Sequence, residues 1–89
     1  MKVKFYSYIR DYTRCKAVDV SGCSTIRELL CRLCELYGKK FHDAVFKEEE
    51  LSNEIIILVN GRNIHFLDQL DTSINEDDEV TIFPVVAGG

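Results

Sequence analysis

Apolar and polar side chains alternate at the start of the chain. Along residues 2–10 the two alternating sets are Val3, Phe5, Ser7 and Ile9 on one side, and Lys4, Tyr6, Tyr8 and Arg10 on the other. A period of two predicts a half-buried β-strand whose first set faces the core. Residues 11–14 then predict a turn, and residues 15–20 predict a second strand that pairs with the first as a hairpin.

A helical pattern follows a loop at residues 21–24. Thr25 and Glu28 have the spacing of a capping box, in which the threonine side chain accepts from the N–H of Glu28 and the glutamate side chain accepts from that of Thr25. Gly38 supplies a stop signal, so a helix is predicted over residues 26–37. Its apolar stripe predicts that it covers a sheet. The stripe consists of Ile26, Leu29, Leu30, Leu33, Cys34, Leu36 and Tyr37.

The second half of the chain predicts three more strands. A charged connection over residues 39–53 has room for one short helical turn. Residues 55–59 are an unbroken apolar run followed by Asn60-Gly61, a strong turn signal, which predicts a buried strand and a short return over residues 62–65. After an acidic turn at residues 75–78, residues 79–83 predict the last strand, with Val80 and Ile82 inward. The order predicts an α+β fold, a mixed sheet with one main helix across one face.

Composition limits the classes of function. The chain has 89 residues, enough for one domain with a modest core. Its formal net charge of −4 argues against nucleic acid, because affinity for phosphates comes from clustered Lys and Arg. No run of about 18 apolar residues predicts a membrane span, and the first residues do not resemble a secretion signal. We therefore expect a cytoplasmic protein with no nucleic-acid and no membrane partner.

The cysteines do not have the spacing of a metal site. They are Cys15, Cys23, Cys31 and Cys34. A plant-type iron–sulfur site needs a C-x4-C-x2-C run, and here only Cys31 and Cys34 are closely spaced. Zinc would need a second such pair or histidines at suitable offsets, which His42 and His65 do not provide. Because a cytosolic protein keeps its thiols reduced, we expect free cysteines and no metal. Cys34 flanks the core stripe of the helix and Cys31 lies away from it.

The closing residues, Gly88 and Gly89, are predicted to react chemically through the α-carboxylate of Gly89. They follow an apolar run of Phe83, Pro84, Val85, Val86 and Ala87. A glycine α-carboxylate is ionised at neutral pH and must be activated before a nucleophile attacks it. Adenylation by an ATP-dependent enzyme is the economical route, and two residues without a Cβ can thread a narrow channel. Since proline fixes φ and has no N–H, we expect Pro84 to end strand pairing just after Phe83 and to direct the tail away from the sheet.

Three stretches resemble a known family. Residues 3–10, 58–62 and 78–89 are similar to the ubiquitin-like β-grasp sulfur carriers of the MoaD/ThiS family. The resemblance is closest to the MoaD branch, the small subunits of molybdopterin synthase, although Val85 stands where MoaD chains commonly have a second proline. It implies a β-grasp domain over residues 1–84 and a flexible C-terminal tail over residues 85–89. It also implies that the first and last strands are neighbours.

The resemblance implies a non-catalytic role with two protein partners. A ubiquitin-activating-type adenylyltransferase (MoeB-like) would use ATP and magnesium to form an acyl-adenylate on Gly89, and sulfur would replace AMP to give a thiocarboxylate. A MoaE-like large subunit of molybdopterin synthase would then transfer that sulfur to a pterin precursor. No cofactor would be bound by this chain.

The partner surface is expected near the start of the tail. By resemblance, Tyr6, Arg10 and Phe83 match family residues that face the partner. If the first and last strands are neighbours, Tyr6, Tyr8 and Phe83 lie together on the face opposite the helix, and exposed aromatic clusters mark interfaces. The full set expected to contact a partner is Tyr6, Tyr8, Arg10, Phe83, Pro84, Val85, Val86 and Ala87.

Other functions remain open at this point. Sulfur carriage for thiamine or another pathway uses the same chemistry, and a ubiquitin-like modifier would instead form isopeptide bonds through Gly89. A regulatory module with an inert tail is a third class. An autonomous enzyme is the weakest option, since no nucleophile, base and orienting group can be assembled from these residues.

Overall fold

The computed structural model describes residues 1–85, in which seven strands and three α-helices are present. The strands are β1 (Lys2–Phe5), β2 (Ala17–Asp19), β3 (Phe46–Lys47), β4 (Glu50–Leu51), β5 (Ile55–Val59), β6 (Arg62–Asn63) and β7 (Glu79–Pro84). The helices are α1 (Ile9–Thr13), α2 (Ile26–Tyr37) and α3 (Lys39–Val45), with 3-10 turns at Ile64–Phe66 and Gln69–Asp71.

Five of these strands form one mixed sheet in the order β2-β1-β7-β5-β6. The central pair, β1 and β7, is parallel, and the other neighbours are antiparallel. The predicted mixed sheet and the adjacency of the first and last strands are therefore confirmed. The strands β3 and β4 form a separate small hairpin.

The core lies between the sheet and the helices α2 and α3. Alternate residues of β1, β5 and β7 are buried, as the period of two predicts. From the helices, Leu29, Leu33, Phe41 and Val45 are fully buried against them. Full burial of such a side chain stabilises the fold by about 1.5–3 kcal/mol. The ring of Phe5 packs edge-on against that of Phe41, with centroids 6.3 Å apart.

The boundaries of α2 agree with the prediction, but one bond of the cap differs. Thr25 Oγ1 accepts from the N–H of Glu28 at 3.2 Å, as expected. The carboxylate of Glu28 accepts instead from the N–H of Ser24, one residue before the predicted donor, at 2.7 Å. Gly38 ends the helix at φ 89°. Leu36 was expected in the buried stripe but is 56% exposed, because it lies at the margin of that stripe in the last turn.

The predicted first strand is wrong after Phe5. Ser7 has a left-handed φ of 55°, and the chain then forms α1 where a strand end and a turn were predicted. The helix buries Ile9 and Thr13, which are four residues apart and so lie on the same helical face. A buried Ile9 fits both the alternation of a strand and the spacing of this helix. The sequence pattern therefore did not distinguish the two.

The connection over residues 39–53 is more structured than predicted. It contains α3 and the β3–β4 hairpin, whose turn residues Glu48 and Glu49 both have positive φ. Such turns usually contain Asn or Gly, and their absence hid the hairpin. The Asn60-Gly61 turn between β5 and β6 is confirmed, with Val59 opposite Arg62.

Candidate functional site

The last described strand brings the chain to the expected start of the tail. β7 continues through Pro84, which lies opposite Ile55 in the register, and the N–H of Val85 donates to the carbonyl of Glu54 at 2.7 Å. The prediction that pairing ends after Phe83 is therefore wrong. In an antiparallel ladder alternate residues direct their N–H groups to one neighbour. Since Val85 donates to the β5 side, the nitrogen of Pro84 faces the other way, past the end of β1, and no ladder bond is lost.

The two residues at this point differ in exposure. Pro84 is buried, whereas Val85 is 47% exposed. Four residues that carry the predicted chemistry and part of the predicted contact surface lie outside the described residues. They are Val86, Ala87, Gly88 and Gly89. Their roles stay predictions.

Tyr6 and Phe83 lie beside each other on the face of the sheet opposite α2. The N–H of Tyr6 donates to the carbonyl of Ile82 at 3.2 Å, which places Tyr6 next to Phe83 in the parallel register. Tyr6 is 41% exposed and Phe83 is half-buried. The guanidinium of Arg10 lies 5.1 Å from the centre of the Tyr6 ring, and its Nε donates to the carbonyl of Phe5 at 2.7 Å. A cation over an aromatic face stabilises both side chains.

We call this face the outer face. Its half-buried members come from the alternate positions of the two neighbouring strands β5 and β7. They are the apolar Ile56, Leu58 and Phe83, together with Thr81. Lys4 of β1 adds a charge, and its ammonium lies 3.0 Å from the carboxylate of Glu79. A hydrogen bond to Glu79 and the charge of that carboxylate raise the pKa of Lys4, so it is a cation at neutral pH.

Tyr8 is not part of the outer face. Its ring packs edge-on against that of Tyr12, with centroids 6.3 Å apart, and it borders a depression formed with Ala44 and Phe46. The expectation that Tyr8 groups with Tyr6 and Phe83 assumed a strand through residue 10. Because the chain forms α1 instead, Tyr8 lies beside residues of α3 and β3.

The four cysteine side chains differ in burial. All four are free, with Cys31 exposed and Cys34 half-buried, as expected for a helix whose stripe Cys34 flanks. Burial raises the pKa of Cys34 to about 11 and, to a smaller extent, that of Cys23. Both are therefore protonated at neutral pH and poor nucleophiles. Cys15 contacts the hydroxyl of Tyr37 at 3.5 Å.

Neither a metal site nor a membrane-spanning helix is present in the described residues. Across residues 1–85, no three His, Cys, Asp or Glu side chains come together in a way that would hold a metal ion. None of the helices in that range has the length and apolar content needed to cross a membrane.

Comparison with solved structures defines the class of fold. The chain is similar to a chain in the crystal structure of the BexX/CysO complex of Amycolatopsis orientalis, with a TM-score of 0.87, 28% identity and coverage of 99% of this chain and 98% of that one. It is equally similar to small archaeal modifier protein 1 of Methanosarcina acetivorans, with a TM-score of 0.87, 29% identity and coverage of 99% and 94%. The fold is the ubiquitin-like β-grasp, as the sequence predicted.

Comparison of sequences then defines the family. The model of the ThiS family matches residues 3–89, and the chain belongs to that family of ubiquitin-like sulfur carriers and modifiers. A candidate sulfur carrier protein of Archaeoglobus fulgidus is 40% identical over 65 residues, which cover 73% of this chain and 74% of the relative. Family members are sulfur carrier proteins and not themselves catalysts.

One feature of the outer face was missed by sequence reasoning. The stacking of Arg10 over Tyr6 requires the turn that follows β1, and the predicted strand would have placed the two side chains far apart. No pattern in the sequence indicates this contact, because it depends on the left-handed conformation of Ser7 between the two residues.

Proposed function

We propose that this chain carries sulfur as a thiocarboxylate on Gly89 for molybdopterin synthesis, as the small subunit of molybdopterin synthase. The observation that carries the proposal is the position of Val85, which follows the end of β7 at Pro84 and is exposed beside the outer face. The ThiS family match extends over the closing Gly88 and Gly89. A partner that binds the folded domain at the outer face would then lie close to the carboxylate of Gly89.

The chemistry takes place on partner enzymes. A MoeB-like adenylyltransferase would join the Gly89 carboxylate to the α-phosphorus of ATP, with magnesium, and release pyrophosphate. A sulfur nucleophile would then attack the carbonyl carbon and AMP would leave. A MoaE-like large subunit would use the resulting thiocarboxylate. The folded domain would supply recognition through Tyr6, Arg10 and Phe83.

The fate of the carboxylate tests this proposal. The chain would be incubated with its cognate adenylating enzyme, ATP, magnesium and a sulfur source, and its intact mass measured. We expect a rise equal to the replacement of one oxygen by sulfur, and loss of that rise on omission of ATP. Subsequent addition of the large subunit and pterin precursor should restore the original mass. Formation of the thiocarboxylate without use by that subunit would exclude the molybdopterin role.

Removal of Gly89 is the matched control. We expect that deletion of Gly89, or Gly88→Ala, abolishes the mass increase. The melting temperature measured by circular dichroism should stay nearly unchanged, because the domain is proposed to end before the tail. A large loss of stability would contradict the placement of the tail outside the core.

A second candidate is attachment to other proteins. It is favoured by the similarity to small archaeal modifier protein 1, which spans 99% of this chain. In that case Gly89 would form an isopeptide bond with a lysine. Ladders of larger conjugates in cells, lost on deletion of Gly89, would support this role. Carriage of sulfur for thiamine would instead show as a thiocarboxylate that the molybdopterin enzyme does not use.

A further inference from the structure

A groove with a volume of about 440 Å³ lies beside β5 and shares only Ile56 and Val85 with the surfaces described so far. It exists because β6 pairs only with Leu58 and Val59. Along residues 55–57, β5 therefore has β7 on one side and, within residues 1–85, no paired strand on the other. The groove is lined by Ile57, Ile64 and Leu70, all buried and apolar.

The rest of the lining comes from different elements. Leu51 and Ser52 lie at and just after the end of β4, and His65 and Gln69 belong to the 3-10 turns. The N–H of Ile55 already donates to the carbonyl of Ser52 at 3.1 Å, so the open part of this edge is centred on Ile57. An extended chain of three residues is about 10 Å long, enough to span residues 55–57. Addition of an extended segment to an open strand edge is a recurring mode of peptide recognition.

The surroundings of the groove are acidic. Glu50 borders it and also borders the two neighbouring depressions. These depressions contain three more carboxylates but only two cations. The groups are Glu48, Asp68 and Asp71 against Lys47 and Arg27. Arg27 and Asp71 offset each other, since the Nε of Arg27 lies 3.4 Å from Asp71. This leaves three carboxylates, Glu48, Glu50 and Asp68, against Lys47. A ligand with a positive charge is therefore favoured.

The same groove reaches the start of the tail. Val85 is one of its lining residues, so a protein that binds the tail passes beside the groove. We propose that the groove binds an extended apolar segment with a lysine or arginine, supplied by the protein that engages Gly89. The proposal rests on the proposed function for the identity of that protein. The groove lies on the opposite side of Val85 from Tyr6, so it adds a second contact with that protein. It also favours a positively charged segment, a preference that the outer face does not provide.

Peptide titration of the full chain tests the groove directly. The probes are an acetylated hexapeptide of alternating valine and lysine and one of alternating valine and glutamate, each followed by amide chemical shifts in NMR. We expect the lysine peptide to shift amides of residues 50–57 and 63–70 together with Val85. Glu50→Lys should weaken its binding about fivefold. Glu35→Lys makes the same charge change on the exposed side of α2 and should leave binding unaltered.

Four results would overturn the proposal. These are equal binding of the glutamate peptide, shifts centred on Tyr6 and Phe83, absence of any shift at millimolar peptide, or concentration-dependent shifts in the groove without peptide. The last result would mean that a second copy of the chain occupies it. The titration needs neither ATP nor Gly89, whereas the mass measurement does, so failure of one is distinguishable from failure of the other.

Discussion

At the scale of single residues, one carboxylate joins the β5–β6 turn to the start of β7. Asp78 accepts from the side-chain amide of Asn60 at 2.9 Å and from the N–H of Asn75 at 2.8 Å. Asn60 in turn accepts from the N–H of Glu79 at 2.9 Å. The bonds from Asn75 and Asn60 lower the pKa of Asp78. The charged form of this residue is therefore stabilised only in the folded state.

Replacement of Asp78 should show this stabilisation through its pH dependence. Asp78→Ala should lower the free energy of unfolding at neutral pH by about 1–2 kcal/mol, since hydrogen bonds to a charged group are lost. A carboxyl with a lowered pKa stabilises the fold above its ordinary value of about 3.9, and the effect disappears as pH falls through the folded value. Urea unfolding at several pH values measures the difference from the unaltered chain, which should shrink in acid.

Asp77→Ala provides the control, because Asp77 is an exposed neighbour without a side-chain hydrogen bond in the described residues. It should change stability by less than about 0.5 kcal/mol. A difference for Asp78→Ala that stays constant down to pH 2 would show that its carboxylate is not the stabilising group.

At the scale of elements, the start of α2 was predictable in detail because its signal is local. Thr25→Ala removes the acceptor for the N–H of Glu28 and should lower stability by about 1 kcal/mol. For a domain of this size the melting temperature should fall by about 4–8 °C. Thr25→Ser keeps a hydroxyl and should melt close to the unaltered chain. If serine and alanine variants melted alike, the cap would not be the cause.

Elements whose boundaries depend on distant contacts were harder to predict. The strand β5 and its Asn60-Gly61 turn have strong local signals and were found. The end of β1 was missed, because the left-handed conformation of Ser7 is imposed by surroundings and leaves no mark in the pattern. The β3–β4 hairpin was missed for the same reason, since Glu48 and Glu49 are not turn formers.

The candidate site shows the same division. Tyr6 and Phe83 were placed together correctly because they depend only on the adjacency of β1 and β7. Tyr8 was misplaced because its position depends on α1. The groove beside β5 has no sequence signal, as it results from the short length of β6.

At the scale of the whole molecule, the outer face is the expected docking surface for the sulfur-handling partners. Phe83→Asp should weaken binding to the large synthase subunit at least about fivefold, since a buried interface aromatic contributes more than about 1 kcal/mol. Calorimetric titration measures the affinity. Leu36→Asp is the matched control, because it places the same charge at an exposed apolar position on α2, away from this face. Unaltered binding of Phe83→Asp would move the interface elsewhere.

The parallel pairing of β1 with β7 also has a consequence for biosynthesis. During translation the first strand emerges early, but its central neighbour, β7, is the last of the described elements to be synthesised. The sheet therefore completes only after all the other described elements have been made. A product that terminates before β7 leaves β1 without its central neighbour, so such a chain does not complete the fold.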